Sequence, residues 1–169
     1  FIQGRGEIGT LISSRLKQHY GNIVKDIDRV QLGYELIKQL NKATEDEPEP
    51  EYFGLLEQAF EALDNAGIGG ELIHTWFQAQ LLKLAGHSPN LNTDTAGQKL
   101  APDQSYIFDI DNMAFTPQEK GNFKAEPIKA LRLLFSQDIA ALAKVDGLEA
   151  TLAKTAPLVR TMQQNHLRT

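Results

Sequence analysis

Lys124, Lys129, Arg132, Arg160 and Arg168 are the side chains best suited by type and position to hold an anion. Lys129 and Arg132 stand three apart, on neighbouring rows of a helix, with Lys124 just upstream. Guanidinium and ammonium groups donate charge-assisted hydrogen bonds to phosphate and carboxylate oxygens, among the stronger polar contacts a protein makes. Trp76, Phe77 and Leu81 supply a second ingredient, large apolar side chains at helical spacing. The cations suit a phosphate or an acidic peptide, because a carboxylate buried without a partner is costly. A plainer reading stays open for each set. The cations can be the solvated faces of amphipathic helices, and Trp76 and Phe77 can be sealed in the core.

Signals for catalysis are thin. Gly4-Arg-Gly and Gly67-Ile-Gly-Gly lack the strand, spacing and lysine of a phosphate loop and read as turns. Ser13 and Ser14 have no associated base, and no nucleophile elbow occurs. His74 lies among apolar positions and reads as a histidine at the edge of the core. His19, His87 and His166 are far apart in sequence, with no partner at the i, i+4 spacing of a zinc site. Asp109 and Asp111, two apart on an expected strand, face one side and could take a hard cation, but such a pair is more often turn chemistry. No catalytic residue, metal ligand or cofactor is therefore assigned.

The elements that must position these side chains follow from composition and pattern. A chain of 169 residues with 41% hydrophobic content is one globular domain, burying roughly two-thirds of its unfolded surface. It has no cysteine, in keeping with a reducing cytoplasm, and no apolar run nears the ~20 residues of a membrane span. The net charge of -5 is unevenly spread: residues 1–43 hold seven Lys/Arg against four Asp/Glu, residues 44–119 two against fourteen, and residues 120–169 eight against four. If the basic ends meet in space, they form one cationic face that attracts phosphates or an acidic peptide.

Periodicity predicts a mainly α chain with a small β-hairpin. Ile23, Ile27, Val30, Tyr34 and Ile37 mark an amphipathic helix from Asn22 to about Lys42, broken by the acidic, proline-containing stretch 44–51. Tyr52 to Leu63 is the next helix, with Glu49 and Glu51 suiting its dipole. A turn at 65–70, whose glycines can take positive φ, leads into a central helix from Glu71 that stops at Gly86. Alternation of Tyr106, Phe108, Ile110, Met113 and Phe115 gives the hairpin. The helical period returns at Ile128, with Ser136 a candidate cap, and a last helix follows from Leu148 that Pro157 should kink or split.

The order of these pieces resembles a known family. Gly9-Thr-Leu-Ile-Ser-Ser, Asp28-Arg-Val-Gln-Leu-Gly-Tyr-Glu-Leu-Ile, an acidic loop, Tyr52-Phe-Gly-Leu-Leu-Glu-Gln-Ala-Phe-Glu-Ala-Leu, Ile73-His-Thr-Trp-Phe-Gln-Ala-Gln-Leu-Leu-Lys-Leu-Ala-Gly-His-Ser-Pro-Asn-Leu, Ile128-Lys-Ala-Leu-Arg-Leu-Leu and Ala140-Ala-Leu-Ala resemble the helical C-terminal domain of the bacterial DNA-repair protein RecO. The resemblance implies that residues 1–20 continue from an OB-fold domain and that 21–169 form the helical domain. It implies a cytoplasmic, nucleoid-associated recombination mediator, not an enzyme, that binds and anneals single- and double-stranded DNA. Such a mediator works with RecR to load RecA onto strands coated by single-stranded DNA-binding protein. The C-terminal tail of that protein, acidic and ending in an aromatic residue, would be the acidic peptide, its ring in a hole walled by Trp76, Phe77 and Leu81 and its carboxylates near Lys129 and Arg132. Many members place a CxxC pair just after the position of Asn92, with a second pair further on, to hold zinc. This chain has Thr93-Asp-Thr-Ala-Gly-Gln there, so zinc is not expected and the hairpin must be held by packing. The alternative is a helical interaction domain of unrelated function, whose apolar grooves take a partner helix.

Overall fold

The computed structural model describes residues 15–44 and 50–167; residues 1–14, most of the acidic loop and Arg168 lie outside them. The described chain runs α1 (Ile27–Ala43), α2 (Pro50–Asp64), α3 (Gly70–Leu84), β1 (Asn90–Asp94), β2 (Tyr106–Asp109), β3 (Ala114–Pro117), α4 (Ala125–Ser136), α5 (Ile139–Leu142) and α6 (Leu148–His166), with a 3-10 turn at Ile23–Lys25 before α1. The fold is mainly α with a small sheet.

α3 is the centre because it is apolar nearly all round. Leu72, Ile73, Trp76, Phe77, Ala79, Leu81 and Leu82 are all buried, and α1, α2, α4 and α6 pack on it. It ends as the sequence indicates. Gly86 takes φ 80, and the His87 N–H donates to Leu82 O at 2.8 Å.

α1 departs from the expected stripe. Asp26 caps the helix, its carboxylate accepting from Asp28 N at 3.0 Å and Arg29 N at 3.3 Å, so Ile23 lies outside the helix. The buried positions are Gly33 and Leu36, whereas Ile27 and Tyr34 are 68% and 72% exposed. Gly33 belongs to the contact with α2, since a Cβ there would stand 3.6 Å from the Phe60 ring. Arg29, which is not one of the stripe positions, anchors the helix. Its guanidinium donates to Leu63 O, Asn65 O, Ala66 O and Ile68 O at 2.6 to 3.3 Å, tying up carbonyls at the end of α2 and in the turn beyond.

Two smaller expectations are corrected, the Ser136 cap and a split at Pro157, and the turn at 65–70 is made without the positive φ open to its glycines. The glycines of the turn at 65–70 keep negative φ, and Asn65 closes that turn by accepting from Gly67 N at 2.9 Å. The cap of α5 is Asp138, accepting from Ala141 N at 2.7 Å, and Ser136 ends α4. α6 is not split at Pro157: Ala153 and Pro157 both face solvent, so the carbonyl that loses its helical partner is open to water.

The sheet has order β1-β3-β2, with β2 antiparallel and β1 parallel to β3. The β2–β3 hairpin is the expected one. Asp109, the last residue of β2, closes its turn by accepting from Asn112 N at 3.0 Å and Asn112 Nδ2 at 2.8 Å, while Asp111 is exposed in that turn and not on the strand. β1 was not legible, because Asn90-Leu-Asn-Thr-Asp has neither aromatic residues nor a clear alternation. It is a strand because β3 offers it an edge, Asn90 N donating to Met113 O at 2.7 Å and Thr95 N to Phe115 O at 2.9 Å.

Packing does hold the hairpin. Phe115 is ringed by Tyr106, Phe108 and Phe123 at centroid distances of 5.0 to 6.1 Å. The segment carrying Phe123 must pass so close to β2 that only glycine fits at 121. A Cβ there would stand 2.6 Å from Tyr106 N and nearer still to its carbonyl. Gly121→Ala is therefore expected to cost about 2 kcal/mol, the scale of overpacking against backbone. A urea midpoint equal to that of the parent would contradict this.

A carboxylate closes the stretch in which the resemblance places thiols. Asp94 Oδ1 accepts from Ala96 N at 2.9 Å and Gln98 N at 2.8 Å, while Gly97 at φ 80 makes the turn. Among the described residues, no group of three or more His, Asp or Glu could hold a metal ion. A chelator is expected to leave the melting temperature unchanged, whereas Asp94→Ala is expected to cost about 2 kcal/mol by orphaning two amides. Elemental analysis finding one tightly held zinc per chain would overturn the first of these.

Candidate functional site

α1 and α6 both pack on α3 and leave between them an open groove of about 670 Å³. Tyr34, Lys38 and Lys42 recur every four residues along α1, so one row of that helix points to the same side. Arg160 and Gln164 do the same on α6. These exposed side chains form the rim, while Gln78 and Gln163, both buried, and the half-buried Gln39 form the floor. Three cations drawn from the two basic ends of the chain thus share one concave surface, with Glu35 the acid among its lining residues.

The floor is a hydrogen-bonded chain, and no buried side-chain nitrogen or oxygen among the described residues lacks a partner, as a polar layer needs to avoid a desolvation penalty. Gln78 Nε2 donates to Gln163 Oε1 at 2.7 Å, and Gln163 Nε2 donates to Gln39 Oε1 at 3.2 Å. Gln39 Nε2 reaches Glu35 Oε1 at 3.2 Å and His74 Nε2 at 2.9 Å. His74 is thus the core-edge histidine the sequence indicated. Burial holds it below the ordinary histidine value, Glu35 and Glu71 pull it up, and Arg160 pushes it down.

The side chains singled out in sequence are dispersed. Among the described ones, Arg160 is the cation that lies in the groove. Lys124 is exposed at the start of α4, and Lys129 pairs with Glu126 at 2.9 Å on the same exposed turn. Arg132 is half-buried and donates from Nε to Leu91 O at 2.8 Å, pinning β1 to α4. Arg168 lies outside the described residues. Trp76, Phe77 and Leu81 are 2%, 0% and 0% exposed, so they belong to the core and do not wall an open hole. Trp76 spends its indole N–H on Gln137 O at 3.0 Å. Sequence reasoning missed Lys38 and Lys42, whose signal was their spacing from Tyr34. Folding also brings His87 and His166 to a ring-centroid distance of 5.4 Å, with His166 Nε2 3.1 Å from Ile110 O.

The geometry defines a helical domain with a small sheet and a groove between two helices that is rimmed by three cations. No described helix is long and apolar enough to cross a membrane. Residues 30–169 match the family model for the recombination protein O C terminal, and the chain belongs to that family. It is similar to the DNA repair protein RecO of Desulfatibacillum aliphaticivorans, 33% identical over 89 residues, which are 52% of this chain and 34% of that protein. The match thus spans about a third of that relative's length. No solved structure matches.

Proposed function

We propose that this chain is the helical part of a RecO-type recombination mediator in DNA repair, and that the α1–α6 groove holds its anionic partners. The observation that carries the reading is the family match over residues 30–169. Locally it is supported by the convergence of Lys38, Lys42 and Arg160, since cations clustered in a concavity attract phosphate far better than the same cations scattered. The protein acts by binding and not by turnover. It binds and anneals single- and double-stranded DNA, and with RecR it assists RecA loading on strands coated by single-stranded DNA-binding protein.

The acidic tail of that binding protein fits the same groove. Its carboxylates take the Arg160 and lysine donors, and its terminal ring takes the apolar surface of Tyr34 and Leu167, the role that the buried Trp76, Phe77 and Leu81 do not fill. Titration of a labelled tail peptide against the chain is expected to give saturable binding at low salt that Lys38→Ala with Arg160→Ala abolishes. Absence of saturation, or binding untouched by that double change, removes the tail from the proposal.

A further inference from the structure

The three amides beneath the groove have a single direction, and a histidine stands at one end. Gln78 donates to Gln163, Gln163 donates to Gln39, and Gln39 Nε2 faces Glu35 and His74. An amide nitrogen only donates, so His74 Nε2 must accept, and an imidazole that accepts at Nε2 is neutral. Protonation would set the N–H of His74 against the N–H of Gln39 across 2.9 Å. Relief comes in one of two ways. The ring N–H can turn to Glu35 Oε1, now 3.6 Å away, or Gln39 can flip its carbonyl toward the ring. A flip sets its NH2 against that of Gln163, must be passed on to Gln78, and sets its carbonyl against Glu35 Oε1, which must then turn away. Either movement rearranges the floor on which Lys38 and Arg160 stand.

The charged groups that reach His74 are Glu35 on α1, Glu71 on α3 itself and Arg160 on α6. Arg160 is also a rim cation of the groove. An anion paired with Arg160 cancels its opposition to a second positive charge and leaves Glu35 and Glu71 to favour one. We propose that the groove takes up anions together with a proton on His74, so that an anion seated on Arg160, Lys38 and Lys42 and a proton on the ring favour one another. The coupling is reciprocal: the anion raises the proton affinity of His74 by the factor with which the proton raises anion affinity. This rests on the groove being the anion site described above.

Oligothymidylate is a suitable probe, because neither its phosphodiesters nor its bases titrate between about pH 5 and 8, where histidine changes charge. Its affinity is expected to rise as the pH falls across that window, by about fivefold more for the parent chain than for His74→Gln. His19, His87 and His166 contribute equally to both proteins, so the difference isolates His74. Identical pH slopes would overturn the proposal. A second measurement follows the His74 ring by NMR. Its titration midpoint is expected to rise when oligothymidylate is added, and to rise without any ligand in Arg160→Gln. A midpoint unmoved in Arg160→Gln overturns the coupling even where DNA binds. If DNA binds at no pH, the reading of the groove as a DNA site falls. The same titration with inorganic sulfate then decides the proton link: a raised midpoint supports it, and an unmoved one ends it.

Discussion

Replacing Lys38, Lys42 and Arg160 together by alanine is expected to flatten the salt dependence of single-stranded DNA binding by about two units of log–log slope, since each phosphate contact contributes about 0.7. Affinity at low salt should fall roughly a hundredfold, and by the same factor for unrelated sequences, because backbone contacts carry no base information. Lys124→Ala with Lys129→Ala is the contrasting pair. Lys129 is already engaged with Glu126 on an exposed turn, and Lys124 lies apart from the groove, so little change is expected. Arg132→Ala should act differently again, lowering stability by freeing Leu91 O rather than removing a phosphate contact. Fluorescence anisotropy of labelled oligonucleotides across a salt series reads all three. An unchanged slope in the triple variant would show that the groove cations are solvated side chains and no more.

The largest loss of stability is expected at Arg29, a residue with no place in the binding groove. Its side chain is only 14% exposed, and its guanidinium serves four carbonyls at the α2–α3 junction, with Asp26 Oδ2 3.6 Å from Nε. Arg29→Leu keeps much of the apolar stem but takes the guanidinium donor from Leu63 O, Ala66 O and Ile68 O and leaves Asn65 O with Ile68 N alone, at a cost of about 3 to 4 kcal/mol. For a chain of this size that corresponds to a melting temperature lower by roughly 10 °C. Lysine should recover only part of this, because a point charge with three donors cannot match a planar fork aimed at several acceptors. Calorimetry on the three proteins tests the ordering, and equal melting temperatures would show that water replaces the guanidinium without loss.

Where burial depends on local pattern, the chain could be read directly. The uniform apolarity of Leu72 to Leu82 announces a helix packed on several sides, Gly86 announces its end, and the alternation from Tyr106 to Phe115 announces a hairpin, because each is a property of neighbouring residues. The resemblance to the RecO family, carried by the succession of such pieces, was legible for the same reason. The candidate site was not. Arg160 could be named as a cation, but its partners Lys38 and Lys42 depend on the rotational phase of α1. That phase is set by the Asp26 cap and by the contact of Gly33 with Phe60 and Leu63, residues far away in sequence.

The same distinction explains β1, Arg132 and Trp76. Asn90-Leu-Asn-Thr-Asp is polar and becomes a strand only because β3 presents unpaired backbone to it, and Arg132 is drawn from the solvent by the carbonyl of Leu91 that this pairing positions. Trp76 had the composition of a pocket wall and of a core residue equally. By itself the sequence determined which segments are helical, which is central, and that cations gather at its two ends. Only the tertiary structure decided which of those cations share a surface and which aromatic rings lie beneath it. Side-chain periodicity is local, whereas the facing of one helix toward another is settled by the sum of contacts across the core.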